Sequence, residues 1–200
     1  MAAPQIRGAF WPGTFFVTFA PQIQTTKMKR FIIAALVLLM AVPFAQAQQI
    51  KGSFTRIITI PVADKVLHGN GNVTFTAPDK LEMTYSEPAG EFLSIDGKML
   101  KSKSVGKTIS VDTDKNAIFR KLRNTLLNCI TGNYEKAAED NNADIKTSQE
   151  GGLKTVTLTA RKAAVSGYSK IILDYNKKNL PVRMVLEEFG GLLTEFQFKY

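Results

Sequence analysis

Alternation is the feature that most constrains this chain. From Lys170 to Phe198 the run KIILDYNKKNLPVRMVLEEFGGLLTEFQF sets Ile171, Leu173 and Tyr175 against Ile172, Asp174 and Asn176. It then sets Val182, Met184 and Leu186 against Arg183, Val185 and Glu187, and Leu192, Phe196 and Phe198 against Leu193, Gln197 and Lys199. A period of two sends successive side chains to opposite faces of a strand. Asn176 to Asn179 and Gly190-Gly191 separate the runs, and Asn and Gly accept the positive φ that hairpin turns need. The stretch predicts an antiparallel meander with one apolar face, which the rest of the chain must cover.

The same period recurs upstream. Lys51 to Ile60 predicts a strand with Phe54, Arg56, Ile58 and Ile60 on one side, ended by Pro61. Lys65 to Ala77 predicts a second, bent at Gly69-Asn70-Gly71. Leu81 to Tyr85, Phe92 to Ile95, Met99 to Lys103 and Thr108 to Val111 follow, with the hairpin dipeptide Asp96-Gly97 between two of them. At Asp114 the period changes to that of a helix. Ile118, Phe119, Leu122, Leu126, Leu127 and Ile130 share one face, Asp112 or Asp114 offers an N-cap, and Gly132 a stop. Tyr134 to Asp140 predicts a second short helix before Ile145 to Gln149 and Leu153 to Arg161 return to period two. Strands on both sides of one helical insertion, without βαβ alternation, define an α+β class with a large antiparallel sheet.

The order of these pieces carries a resemblance. Gly52-Ser53-Phe54-Thr55, then Gly71 to Thr76 followed by Ala77-Pro78-Asp79-Lys80-Leu81, then Ser94-Ile95-Asp96-Gly97-Lys98, then the C-terminal meander closing on Glu188-Phe189-Gly190-Gly191, resemble a divergent member of the outer-membrane lipoprotein carrier protein family, the LolA-like periplasmic chaperones. The resemblance implies a strongly curved, unclosed antiparallel β-sheet, a half-barrel, with one or two helices covering its concave apolar face. It implies acylated lipoproteins or another lipid as cargo, and no enzymatic activity. An inner-membrane lipoprotein release complex and an outer-membrane acceptor would be its partners. Two features depart from the family pattern. Only Gln48 to Lys51 stand where an amphipathic helix usually precedes the first strand, and Ala77 occupies the position before Pro78 that is often Arg.

A secretory signal is legible independently. Met28-Lys29-Arg30 is a basic start, Phe31 to Val42 an apolar run of 12 residues, and Ala45-Gln46-Ala47 a small-x-small cleavage pattern. The run is shorter than the roughly 20 residues a membrane-spanning helix needs. The expected organisation is therefore a start-site artefact over 1–27, a signal over 28–47 cleaved after Ala47, and one carrier-like domain over 48–200, acting in the periplasm as a monomer. Of the 26 Lys and Arg, Arg7, Lys27, Lys29 and Arg30 precede that cleavage, leaving 22 against 17 acidic residues. With no run of five like charges, nucleic-acid binding is disfavoured.

Catalytic chemistry is sparse. His68 is the single histidine and Cys129 the single cysteine. A nucleophile with its base would have to be built around His68, and no paired-cysteine metal site is available. No cofactor or metal is expected. What the sequence offers in quantity is apolar surface. Phe54, Ile58, Val73, Phe75, Leu81, Met83, Tyr85, Phe92, Leu158, Leu173, Tyr175, Met184 and Phe196 lie on the strands, with Phe119, Leu122 and Leu126 on the helix above them. Each residue alone fits a closed core; as a set, Met and aromatic groups under one helix suit an adaptable pocket. The resemblance favours a lipid-binding cavity, with a closed-core structural protein of the envelope as the alternative and an esterase using His68 behind both.

Overall fold

The computed structural model describes residues 49–200 apart from positions 105 and 165; the expected signal and the segment before it lie outside the described residues. Six strands come first: β1 (Gln49–Ile60), β2 (Lys65–Thr76), β3 (Lys80–Glu87), β4 (Phe92–Asp96), β5 (Met99–Ser104) and β6 (Lys107–Asp112). Helices α1 (Ala117–Ile130) and α2 (Tyr134–Asn141) follow. The chain then completes β7 (Ala143–Glu150), β8 (Leu153–Ala160), β9 (Tyr168–Tyr175), β10 (Pro181–Glu188) and β11 (Leu193–Lys199).

All eleven strands form one sheet in the order β6-β5-β4-β3-β2-β1-β11-β10-β9-β8-β7. Each neighbouring pair is a hairpin of consecutive strands except β1 with β11, which meet at the centre with Phe54 opposite Phe198 and Thr59 opposite Leu193. Among the described residues the edge strands are β6 and β7, and the two helices carry the chain from one edge to the other. The sheet is unclosed and its cover is tethered to both rims. This is the α+β half-barrel expected from the sequence.

Local chemistry explains the bends. The register of β2 on β3 slips between Asn70 and Gly71, where a side chain in place of Gly71 would run into the Thr84 carbonyl. A bulge of this kind increases local twist and curves a sheet. At the start of α1 the expected caps do not act. Asp112 instead accepts from the Asp114 amide at 3.0 Å and caps a 3-10 turn over Thr113–Lys115. The helix is capped by Asn116, whose side-chain oxygen accepts from the amides of Ile118 (3.0 Å) and Phe119 (3.3 Å), so the intervening turn displaced the cap along the chain. Gly132, at φ +75°, ends it as expected.

The core lies between the concave face and the helices. Leu81, Met83, Ile95, Leu100, Val156, Leu158, Ile171, Leu173, Tyr175 and Met184 are all but inaccessible and form one cluster with Leu126, Cys129 and Ile130 of α1 and Ala137 and Ala138 of α2. Removing this much apolar surface from water, at about 25 cal/mol per Å², is what fixes the helices against the sheet. Two buried polar side chains, Asn141 and Tyr175, orient them. The Asn141 amide donates to Thr125 Oγ1 and to the Ala137 carbonyl, both at 2.8 Å, and the Tyr175 hydroxyl donates to the Cys129 carbonyl at 2.8 Å.

Candidate functional site

Most of the concave floor singled out from the sequence is buried in one core with residues of the two helices. Phe54, Val73, Phe75, Leu81, Met83, Tyr85, Leu126, Leu158, Leu173, Tyr175, Met184 and Phe196 are buried in the single core cluster. Phe119 and Leu122 are half-buried against it. Ile58, opposite Leu67 and Thr194, is half-buried. Phe92 does not share the floor. It pairs with Thr84 and Lys103, both exposed, while its neighbour Leu93 pairs with Met83 and packs on the core. β3 thus sets the phase of β4 one residue away from the expected one, because a register shift of one exchanges the two faces.

Open space remains where α1 begins. A cavity of about 420 Å³ is lined by Ala117, Ile118, Lys121 and Leu122 of α1, by Ser166, Gly167 and Tyr168 at the start of β9, and by Glu188 at the end of β10. The sheet register explains the grouping: Glu188 lies opposite Tyr168, and Glu187 opposite both Lys170 and Leu193, so one rim of the sheet faces the first turns of the helix. The walls are mainly apolar, with Ile118 forming an exposed lip. Gly167 adopts φ +100°, and a Cβ there would stand 3.5 Å from the Lys121 ammonium, which therefore lies over the glycine backbone. The volume falls within the roughly 300–1,000 Å³ of small-molecule sites. Burial, and secondarily the Glu188 carboxylate, hold the Tyr168 phenol above its usual range, so it is a hydrogen-bond donor at neutral pH.

A second hollow of about 440 Å³ lies at the other end of α1. It is bounded by Ile130, Thr131, the floor residues Ile50 and Phe75, Ala77-Pro78, and the Lys178–Leu180 turn. Of the residues expected from the sequence, Leu122 lines the first cavity and Phe75 the second. Ile118, Lys121, Ser166, Gly167, Tyr168 and Glu188 were not among the expected site residues. Lys121 sits on the polar side of a helical wheel, and Glu188 beside Glu187 looks like a solvated strand end. Alternation does place Arg56 on the concave side with Phe54, and that is where it lies. Its guanidinium is 4.3 Å from the Tyr85 ring centroid and 3.5 Å from the Glu91 carboxylate, with both charged side chains nearly buried.

Of the two catalytic candidates one is buried and the other exposed. Cys129 is fully buried and its thiol is pushed up to about 12 by that burial, whereas a nucleophilic cysteine needs a depressed value. His68 is exposed on β2 opposite Ile57 and makes no side-chain hydrogen bond or ion pair among the described residues. No group of three or more metal-ligating side chains occurs among the described residues. No helix among them is long and apolar enough to cross a membrane.

The profile of the family described as outer membrane lipoprotein carrier protein LolA matches residues 45–200. No curated protein matches the sequence. Among solved structures, a LolA superfamily protein from Nitrosomonas europaea is similar at 13% identity over 78% of this chain and 86% of its own, with a TM-score of 0.36. A DUF1329 family protein from Desulfovibrio piger is similar at 10% identity over 86% and 90%, with a TM-score of 0.38. The lipoprotein LppX of Mycobacterium tuberculosis is similar at 11% identity over 88% and 94%, with a TM-score of 0.33.

Proposed function

Because the chain belongs to the outer membrane lipoprotein carrier protein family, we propose that it is a non-enzymatic periplasmic carrier that shields acyl chains between α1 and the sheet. The cargo is the acyl portion of a lipoprotein or another lipid, carried from the inner to the outer membrane. Its partners are an inner-membrane release complex and an outer-membrane acceptor, and it travels as a monomer after cleavage behind Ala47. The observation that carries the reading is the apolar cavity of about 420 Å³ alongside the first turns of α1. The floor beneath continues into the core, so a chain entering there meets Leu122 first and, if the helix lifts, Phe119 and Leu126 next. Apolar burial of about 25 cal/mol per Å² gives an acyl chain several kcal/mol without any specific polar contact.

A second reading is favoured by the packing itself: with so much of the floor buried under α1 and α2, the helix is permanent core and the protein a structural component of the envelope. Titration of a fluorescent fatty-acid probe together with thermal melting separates the two. The carrier predicts that Leu122→Glu weakens probe binding with a modest loss of stability, whereas Phe75→Glu abolishes binding and damages the fold. If the Leu122 variant loses as much stability as the Phe75 variant, or the wild type takes up no probe, the carrier reading fails.

A further inference from the structure

We propose that the cavity beside the first turns of α1 selects a single-chain or locally splayed phospholipid with a zwitterionic phosphoethanolamine headgroup, its phosphate held by Lys121 and its ammonium by Glu188. This rests on the acyl-carrier reading and assigns the cargo of that same cavity to phospholipid rather than to an acylated polypeptide.

The other half-buried charges of this protein all have partners. Arg56 pairs with Glu91, Arg123 with Asp114, Arg183 with Glu195 and Asp174, and Lys170 with Glu187. Lys80 pairs with Glu82 and Asp96, Lys115 with Asp112, Lys154 donates to the Tyr134 hydroxyl and Asn128 donates to Asp140. Among the described residues only Lys121 and Glu188 are charged, half-buried and without an ion pair or side-chain hydrogen bond. They line the same cavity, yet they form no salt bridge with each other.

A partly desolvated charge without a partner is unfavourable, and two of opposite sign held apart at one mouth are both satisfied only by a ligand that carries both signs. An anionic headgroup would neutralise Lys121 and meet repulsion from Glu188; a neutral one would leave both unpaired. The Ser166 and Tyr168 hydroxyls, lining the same mouth, are available to the phosphate as donors. The acyl chain runs past Ile118 and Leu122 into the apolar part.

The test measures binding of four probes that share one fluorescent acyl chain and differ in headgroup: lysophosphatidylethanolamine, lysophosphatidylglycerol, a monoacylglycerol and an S-acylated cysteinyl peptide. The wild type should bind the ethanolamine probe tightest, by about two- to fivefold for each charge satisfied. Lys121→Gln should cut the lead of the ethanolamine probe over the monoacylglycerol by about two- to fivefold, the share of the phosphate. Glu188→Gln should move the preference to the phosphatidylglycerol probe, and the exchange Lys121→Glu with Glu188→Lys should restore the ethanolamine preference. Melting temperatures of all variants should stay close to the wild type. Equal affinity for all headgroups, preference for the acylated peptide, or variants that leave the order unchanged would overturn the headgroup assignment while leaving the carrier intact. Binding of none of the probes would overturn both.

Discussion

In the C-terminal half of α1, Leu126, Cys129 and Ile130 are buried, the Cys129 carbonyl is held by Tyr175, and Thr125 receives Asn141 from α2. In the N-terminal half Ile118 is 66% exposed, Phe119 and Leu122 are half-buried, and the space beside them is open. One helix is thus packed into the core at one end and borders open space at the other. Apolar content does not explain the contrast, since both halves carry large aliphatic groups. What differs is the support: α2 packs along the second half, while the first half is anchored through Asn116 and through Arg123, which donates to Thr113 Oγ1 at 2.7 Å.

The contrast can be broken most severely from below. Phe75→Glu places a carboxylate in the core with no partner, a change of several kcal/mol, and chemical denaturation should find the protein largely unfolded. Leu126→Ala removes a buried side chain from the supported half and should lower stability by about 2–5 kcal/mol. Tyr175→Phe leaves the Cys129 carbonyl with only the longer bond from the Gly132 amide at 3.4 Å; about 0.5–1.5 kcal/mol should be lost, and thiol-labelling of Cys129 should accelerate.

Alkaline pH tests the same half more gently. Burial raises the Cys129 thiol from 9.0 to about 12, so above pH 9 the unfolded chain loses a proton that the folded chain keeps, and stability falls with rising pH until the folded value is passed. Replacing Cys129 by Ala should flatten the decline between pH 9 and 11 by at most ~1.4 kcal/mol per unit. Smallest of all, Ile118→Ser in the open half should change stability by no more than about 0.5 kcal/mol while weakening uptake of the acyl probe; an unchanged probe affinity would remove Ile118 from the entry route.

The strands were legible because alternation is a local property. Ile171, Leu173 and Tyr175 face inward as their spacing demands, and the helix follows from the change of period at Asp114. Phe92 was misplaced because β4 is short and offers Phe92 and Leu93 in succession, so its phase is decided by its partner β3 and not by its own pattern. The cavity mouth was hidden for a different reason. Lys121, Tyr168 and Glu188 lie on three elements and acquire meaning only when the strand register and the placement of α1 bring them together. Partnerlessness, which marks Lys121 and Glu188, is a relation between residues and has no signature along the chain.

The central seam between β1 and β11 has a consequence in time. Each hairpin can zip as soon as its second strand exists, but Phe54 cannot meet Phe198, nor Thr59 meet Leu193, until β11 has been made. Pairings so distant along the chain form late because closing so long a loop must precede any gain from contact. The nascent molecule therefore keeps a gap in the middle of its sheet until β11 joins the two halves.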